Sequence, residues 1–357
     1  MNLLFVDPKC PKPYDSEVLA TRGLGGTEAS VIRVARALSQ MPQGYHVTVV
    51  QHNRSEVRQE SATLRFAPMG ELAQAAAAAA HVVFIQKAQA LSEVARVTQG
   101  RLWLWLHNFL HDEVPFFWAD HLRHRLGVIC VSRMHADHTR RYLRSSKLHW
   151  ATLGQAARGG VLFHHNPIDA GLAPYCHQAR DPHKLVFFSS PYKGIEHVLA
   201  RFAEAYAANP RLRLHVADPG YIRNFDASQL EHPGIVRLGS LPQSEVMRHV
   251  REALCVFYPQ YKRPETFGLV YAEANAVGIP VLAHDFGAAR EVLSIANPPL
   301  DARDHKAVLG TLNRWVAEGA PAVSSDGRFD IATVANGWSR FFANPDQYHR
   351  ELDSERS

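Results

Sequence analysis

Short apolar runs alternate with amphipathic stretches along the whole chain, and this alternation limits the fold more than any other feature of the sequence. Six runs lie in the first half, HVVFIQ and GVICVS among them, and five lie in the second, KLVFFS and LCVFYP among them. Uninterrupted apolar runs are typical of strands buried on both faces, whereas stretches such as IEHVLARFAEAYAAN have the spacing of a helix. The sequence therefore predicts an α/β protein with parallel sheets.

The pattern occurs twice, and it is interrupted near residues 166–180 by proline, histidine, asparagine and charged residues. A chain of 357 residues also exceeds the usual size of one hydrophobic core. We therefore predict a first Rossmann-like domain over residues 1–168 and a second over residues 169–335. Two doubly wound domains that face each other across a cleft would bind ligands at the carboxyl ends of their strands.

Composition and charge argue against several classes of protein. The net charge of +5 is modest and dispersed, which disfavours a nucleic-acid partner. The four cysteines have neither metal-binding nor disulfide spacing, as expected in a reducing compartment. The first apolar run is too short for a signal peptide, and no window reaches eighteen consecutive apolar residues. These features predict a cytoplasmic protein.

The segment RPETFGLVYAEANAVGIPVLAHDFGAAREV, residues 263–292, places Glu265 and Glu273 in an apolar neighbourhood. It follows the strand-like run LCVFYP, and a helix is predicted from about residue 269 to residue 276. Backbone N–H groups at the start of such a helix form a site that suits an anionic diphosphate. The residues that offer these groups are Thr266, Phe267 and Gly268.

Three further stretches combine a helix start or a strand end with a residue suited to a binding site. In FFSSPYKGIEH a turn with Lys193 leads into a helix, and in RGLGGTEAS the pair Gly25 and Gly26 precedes one. His107 follows the run RLWLWL, and Asn108 beside it is a weaker candidate. Each has an alternative interpretation. Lys193 could be a solvated surface lysine, and Gly25 and Gly26 could form an ordinary turn. His107 could have no role in a site, since the chain has 21 histidines.

Residues 263–292 resemble the second-domain signature of retaining glycosyltransferases of family four, which have the GT-B fold. The shared positions are Glu265, Phe267, Gly268, Leu269, Glu273, Ala274, Gly278, Pro280, Val281, Gly287 and Glu291. The family's glycine pair before the last glutamate appears here as Gly287 and Ala288, which is a departure. Together with the other motifs, the resemblance extends over most of the chain and implies two Rossmann-like domains facing across a cleft.

The resemblance implies a role for each matched residue. Glu265 would bind hydroxyls of the donor sugar and face its reacting carbon, and Glu273 would accept from the ribose hydroxyls, because ionised carboxylates are pure acceptors. Lys193 would neutralise the diphosphate leaving group. Ser190 stands where the family often has an arginine, so the second positive charge is unassigned. His107 would lie beside the donor sugar.

The family's first-domain glycine loop lets the backbone approach the donor phosphate and the acceptor, and Gly25 and Gly26 match its position. The backbone over residues 267–270 would line the donor pocket. The implied site residues are Glu265, His107 and Lys193 for catalysis, and Gly25, Gly26, Ser190, Thr266, Phe267, Gly268, Leu269, Val270 and Glu273 for donor binding.

The implied activity is retaining transfer of a sugar from a nucleotide diphosphate to a glycan or lipid-linked acceptor, in surface polysaccharide or glycoconjugate synthesis. A UDP-sugar is the commoner donor, and a GDP-sugar stays open. No cofactor and no metal ion is expected, because the helix dipole and Lys193 take the place of a cation. Two other classes stay open: a non-catalytic nucleotide- or sugar-binding protein, and an epimerase or phosphorylase of the GT-B fold.

Aromatic residues near the end of the chain recur at nearly helical intervals: Trp338, Phe341, Phe342 and Tyr348. An exposed stripe of this kind would favour aggregation, so we expect it to be buried. The resemblance implies a last helix over residues 336–357 that returns to the N-terminal domain.

Two features keep different interpretations open. Residues 107–158 contain Phe116, Phe117 and Trp118 before a basic stretch, which fits either core and solvated helices or a peripheral contact with an anionic membrane. The protein would then lie on the inner face of that membrane. Histidine pairs at 121/124, 135/138 and 164/165 have no cysteine with them, which disfavours a zinc site.

Overall fold

The computed structural model describes residues 1–110, 123–145, 160–174, 180–218 and 227–354. Contacts within the chain divide it into two compact units. The first unit consists of Met1–Asp15, Ser30–Pro167 and Asp330–Ser357, and the second consists of Ser16–Ala29 and Ile168–Phe329. Each unit is built around a sheet of its own.

The described strands are, in chain order, β1 (Asn2–Asp7), β2 (His46–Gln51), β3 (Arg58–Ser61), β4 (Leu64–Pro68), β5 (His81–Ile85), β6 (Arg101–Trp105), β7 (Gly127–Cys130), β8 (Val161–Phe163), β9 (Asp181–Phe187), β10 (Arg213–Asp218), β11 (Ile235–Ser240), β12 (Ala253–Tyr258) and β13 (Val281–Ala283). The described α-helices are α1 (Ser16–Thr21), α2 (Gly26–Ser39), α3 (Leu72–Ala78), α4 (Leu91–Val97), α5 (Arg133–Ser145), α6 (Ile195–Ala208), α7 (Gln243–Arg251), α8 (Leu269–Ala276), α9 (Ala289–Val292), α10 (His305–Glu318), α11 (Ile331–Ala343) and α12 (Pro345–Ser354).

Within its described residues, the first unit has an eight-stranded sheet of order β3-β4-β2-β1-β5-β6-β7-β8. Neighbouring strands are parallel except for β3 and β4. Every residue of β5 and of β7 is buried. Strands that are buried on both faces have no exposed face for polar side chains, which explains why the runs HVVFIQ and GVICVS are continuous.

Helix α11 contributes aromatic side chains to the core of the first unit. The Trp338 ring is fully buried. Its centroid lies 4.8 Å from that of Trp105, 6.1 Å from that of Phe5 and 4.4 Å from that of His164, on which it stacks. The predicted burial of the C-terminal aromatic residues is therefore observed for Trp338, Phe341 and Phe342, whereas Tyr348 is only half-buried.

The second unit has, among its described residues, a five-stranded parallel sheet of order β11-β10-β9-β12-β13. All six residues of β12 are buried, and so are the last four of β9. These two strands are neighbours and run in the same direction. The loops that follow them therefore leave the same edge of the sheet, side by side.

The predicted α/β architecture with parallel sheets is confirmed, and each of the eleven apolar runs contains one strand. The sequence missed β3 and β8. Strand β3 is a polar, antiparallel edge strand, so it has no apolar run. Strand β8 has only three residues and lies just before the interruption predicted near residues 166–180.

The structure differs from the predicted domain limits in three places, the smallest of which is that Ile168 begins the second unit instead of ending the first domain. Residues 16–29 were placed in the first domain, but they belong to the second unit, where α1 contacts α7 and Gly26 lies against Leu269. Residues 330–335 were placed in the second domain, but they belong to the first unit because α11 begins at Ile331.

Candidate functional site

Two neighbouring strands of the second unit, β9 and β12, lead into loops that carry Lys193 and Glu265. Lys193 ends a short 3-10 turn (Pro191–Lys193), and Glu265 lies in the loop before α8. The Nζ atom of Lys193 donates to both carboxylate oxygens of Glu265, at 2.8 and 2.7 Å. The structure thus brings together two residues that are 72 positions apart in the sequence.

A buried hydroxyl also holds the carboxylate of Glu265. The Tyr258 hydroxyl donates to Oε1 of Glu265 at 2.7 Å and lies 3.2 Å from Oγ of Ser189. Burial is the main cause that raises the pKa of Tyr258 well above its usual value, and the charge of Glu265 adds to it. The phenol therefore stays protonated at physiological pH and remains a donor.

The loop before Glu265 is fixed by the side chain of Gln260, which is 1% exposed. Its Oε1 accepts from the backbone N of Lys262 at 3.0 Å and of Arg263 at 3.1 Å, and its Nε2 donates to the carbonyl of Arg263 at 2.8 Å. A buried amide with its donors and acceptors satisfied stabilises one loop conformation. Gln260 therefore positions the backbone that leads to Glu265.

The turn with Lys193 packs directly against the same loop. Gly194 has φ +119°, a conformation that favours glycine. A Cβ at this position would lie 3.1 Å from the Cβ of Lys262 and 3.3 Å from the Cβ of Gln260. Ser190 is buried, and its carbonyl accepts from the backbone N of Lys193 at 3.0 Å. The turn with Lys193 is thus packed closely against the loop that leads to Glu265.

Gly287 packs directly against the backbone of Glu265. Its φ is +58°, and a Cβ there would lie 2.5 Å from the carbonyl oxygen and 2.9 Å from the nitrogen of Glu265. The next residue, Ala288, donates its N–H to the same carbonyl at 3.0 Å. No side chain fits at position 287 without moving the backbone that carries the carboxylate.

We expect Gly287→Ala to lower the turnover of the enzyme proposed below by about 10- to 100-fold, because the added methyl displaces Glu265. The matched control is Gly239→Ala. Gly239 has φ +71° in the same unit, but a Cβ there meets nothing within 4 Å. The control should show only a loss of stability of about 1–2 kcal/mol from backbone strain. Steady-state rates and thermal midpoints of both variants test this, and equal rates would contradict it.

Helix α8 begins where the sequence predicted it, at Leu269 after Gly268. Gly268 has φ +86°, and a Cβ there would lie 2.5 Å from Cδ2 of Tyr271. This conformation of Gly268 places the backbone amides that precede α8 at the N-terminus of the helix, which is the positive end of its dipole. The candidate residues around this start are placed as follows: Phe267, Val270 and Glu273 are buried, and Thr266 is half-buried.

The glycine pair Gly25 and Gly26 lies in the second unit rather than in the first domain where the sequence placed it. A Cβ on Gly26 would lie 2.9 Å from Cδ1 of Leu269, at the start of α8. Gly26 is therefore in contact with one of the predicted donor-binding residues. The close approach, rather than an unusual φ, explains why glycine fits here.

His107 lies in the first unit, two residues after the end of β6. Its backbone N–H donates to Oε1 of Gln86 at 3.0 Å, and its ring centroid is 4.6 Å from that of Trp105. Burial, with a smaller effect from His135, lowers the pKa of His107 to about 3. The imidazole is therefore neutral at physiological pH, and its place beside the donor sugar stays a prediction. The carbonyl of the neighbouring candidate, Asn108, lies 3.1 Å from Nε2 of His135.

The metal and membrane hypotheses concern parts of the chain that are only partly described. In the described ranges, no group of three or more His, Cys, Asp or Glu side chains is placed to hold a metal ion. No helix in those ranges is long and apolar enough to cross a bilayer. Of the segment 107–158, residues 111–122 and 146–158, with Phe116, Phe117 and Trp118, lie outside the described residues.

Sequence reasoning missed Tyr258, Ser189 and Gln260, which hold the ion pair in place. A signal was present, because Tyr258 ends the strand within LCVFYP and Ser189 ends KLVFFS. Polar residues at the carboxyl ends of neighbouring parallel strands meet at one edge of the sheet. Their contact could not be read without the strand order that makes β9 and β12 neighbours.

The fold with two Rossmann-like units is that of GT-B glycosyltransferases, as comparison with solved structures shows. Sucrose-phosphate synthase from Thermosynechococcus elongatus is 15% identical, with a TM-score of 0.65 and coverage of 99% of each chain. HepE from Anabaena, in complex with UDP and glucose, is 15% identical with a TM-score of 0.69 over 96% of this chain and 99% of that one. The lipopolysaccharide outer core galactosyltransferase WaaB is 12% identical, with a TM-score of 0.55 over 99% and 98%.

Residues 183–306 match the family model of glycosyl transferases group 1. This region contains Lys193, Glu265, Glu273 and the whole of α8. No curated protein matches the chain by sequence. Part of the second unit therefore matches glycosyl transferases group 1, which confirms the resemblance of its motifs at that level. Membership of family four and the retaining mechanism stay predictions.

Proposed function

We propose that the protein is a retaining glycosyltransferase that takes its sugar from a nucleotide diphosphate. The observation that carries the proposal is the buried Glu265, paired with Lys193 at the carboxyl edge of the second sheet within residues 183–306. A buried carboxylate with a cation and a helix N-terminus beside it combines sites for sugar hydroxyls and for a diphosphate. HepE, a structural relative, is described in complex with UDP and glucose, which supports a UDP-sugar as the donor.

In this proposal each group of the second unit binds one part of the donor. The side chain of Lys193 is 27% exposed, so a diphosphate can reach its ammonium group, whereas the side chain of Glu265 is only 7% exposed. Lys193 and the amides before α8 bind the diphosphate, Glu265 accepts from hydroxyls of the sugar, and Glu273 accepts from the ribose. Lys193 lowers the barrier because negative charge grows on the phosphate as it leaves.

The reaction we propose proceeds on one face of the sugar through an oxocarbenium-like state. The acceptor hydroxyl oxygen bonds to the anomeric carbon while the bond from that carbon to the diphosphate oxygen breaks. The acceptor proton passes to the departing phosphate oxygen, so the products are the glycoside and the nucleoside diphosphate. This route needs no separate general base, and with Lys193 and helix amides on the diphosphate it needs no metal ion.

The acceptor we propose is a hydroxyl of a glycan or of a lipid-linked sugar in surface polysaccharide or glycoconjugate synthesis, with the protein in the cytoplasm. The relative WaaB is named for a lipopolysaccharide core, which is a glycan of this kind. A peripheral membrane contact through residues 107–158 would give such an acceptor access, and vesicle co-sedimentation tests it separately.

The proposed function is tested by incubating the purified full chain with a panel of UDP- and GDP-sugars and measuring release of the nucleoside diphosphate. We expect slow hydrolysis of one donor, faster release with acceptor glycans, and the same rates in EDTA. Tight binding without release would support a non-catalytic binding protein instead. Phosphorolysis without transfer would support a phosphorylase, and epimerisation without transfer would support an epimerase. Loss of activity in EDTA that manganese restores would overturn the metal-free mechanism.

A further inference from the structure

We propose that Tyr258 is a positioning residue that keeps the carboxylate of Glu265 aimed at the sugar while Lys193 serves the diphosphate. This inference rests on the proposed function. Tyr258 does not contact the donor in this scheme. It acts only through the hydrogen bond that its hydroxyl donates to Oε1 of Glu265 at 2.7 Å.

The position of the Tyr258 hydroxyl is itself fixed. Tyr258 is the last residue of β12 and is 1% exposed. Its ring centroid lies 5.8 Å from that of Phe187 on the neighbouring strand β9. The Tyr258 hydroxyl uses its proton in the hydrogen bond to Glu265. Its oxygen can therefore accept a hydrogen bond from Oγ of Ser189, 3.2 Å away. A rigid strand, a packed ring and a second hydroxyl thus define where the proton of Tyr258 points.

A bound donor would weaken the hydrogen bonds from Lys193 to Glu265 more than the hydrogen bond from Tyr258. Lys193 is partly exposed and donates to both oxygens of Glu265, so a bound diphosphate competes for the same ammonium protons. Tyr258 is buried behind the carboxylate, and a ligand in solution does not reach its hydroxyl. When the diphosphate takes part of the Lys193 interaction, the bond from Tyr258 continues to restrain rotation of the carboxylate.

A second buried tyrosine provides a matched comparison. Tyr271 is also fully buried, and its ring centroid lies 5.9 Å from that of Tyr258. Glu265 is near enough to Tyr271 to add to the rise that burial causes in the pKa of that phenol. In the described part of the chain, however, the Tyr271 hydroxyl has no hydrogen-bond partner. The two residues therefore share ring, burial and neighbourhood, and differ in the bond to Glu265.

We expect Tyr258→Phe to lower kcat by about 10- to 100-fold while the KM for the donor changes by less than about 2-fold, since a carboxylate that is free to turn is misaligned without losing its charge. Tyr271→Phe should leave both constants near those of the unmodified protein, because it removes a hydroxyl without a partner. Ser189→Ala should lower kcat by a smaller factor, since it frees the orientation of the Tyr258 hydroxyl. Donor kinetics and thermal midpoints of the three variants provide these comparisons.

A double-mutant cycle with Glu265→Gln separates positioning from a general structural effect. If Tyr258 acts through Glu265, then Tyr258→Phe should reduce the residual rate of Glu265→Gln by less than about 2-fold. Additive losses, equal losses in Tyr258→Phe and Tyr271→Phe, or a Tyr258→Phe enzyme with unchanged kcat would each overturn the inference. An unchanged rate in Glu265→Gln alone would instead overturn the proposed role of Glu265, so the two failures are distinguishable.

Discussion

Glu265→Gln is expected to reduce sugar transfer by about 10²–10³-fold while the chain still folds. Glutamine has the shape of glutamate but no charge, so it can no longer hold the ammonium of Lys193 as an ion pair at 2.7 Å. It also presents an amide N–H₂ where sugar hydroxyls would meet an acceptor. Rates at saturating donor, together with a thermal midpoint, measure the effect and show whether the fold is intact.

Glu196→Gln is the matched control for that experiment. Glu196 pairs with Lys262, in the loop that precedes Glu265, but its side chain is 46% exposed and that of Lys262 is 48% exposed. Exposed ion pairs contribute about 0–1 kcal/mol to stability, and this one lies outside the proposed donor contacts. The control should transfer sugar at nearly the unmodified rate. Equal rates for Glu265→Gln and Glu196→Gln would contradict the assignment of Glu265.

The sequence could predict those parts of the fold and site that local pattern determines. Strands buried on both faces leave continuous apolar runs, and so every such run contained a strand. The start of α8 was predictable because a loop that ends in a glycine, Gly268, precedes an apolar helical stretch. Strand β3 was not predictable from burial, since its four residues are polar and largely exposed.

Contacts between distant segments had no local signal. Nothing around Lys193 indicates that its ammonium meets Glu265, because the contact depends on the order of strands in the sheet. The same holds for residues 16–29, whose own pattern is an ordinary loop and helix but whose contacts group them with the second unit. Their position depends on the approach of Gly26 to Leu269, which only the folded chain reveals.

Trp338→Ala is expected to destabilise the first unit by about 3–5 kcal/mol, because it removes a large, fully buried side chain from a packed core. The lost ring would leave a cavity lined by Phe5, Trp105 and His164, which lie against it from β1, the end of β6 and the segment after β8. These residues come from the beginning and middle of the chain. Helix α11 is therefore part of the core of that unit rather than an appendage to it.

Hydrogen exchange followed by mass spectrometry can locate this effect. In Trp338→Ala, the amides of β1 and β6 should lose protection, while those of β12 in the second unit should keep theirs. Arg340→Ala on the same helix is the control, because its side chain is 66% exposed and its pairing with Glu351 contributes little. Unchanged protection of β1 in Trp338→Ala would show that α11 covers the sheet without stabilising it. Deleting residues 336–357 removes Trp338 and most of α11, so β1 and β6 should also lose protection in that variant.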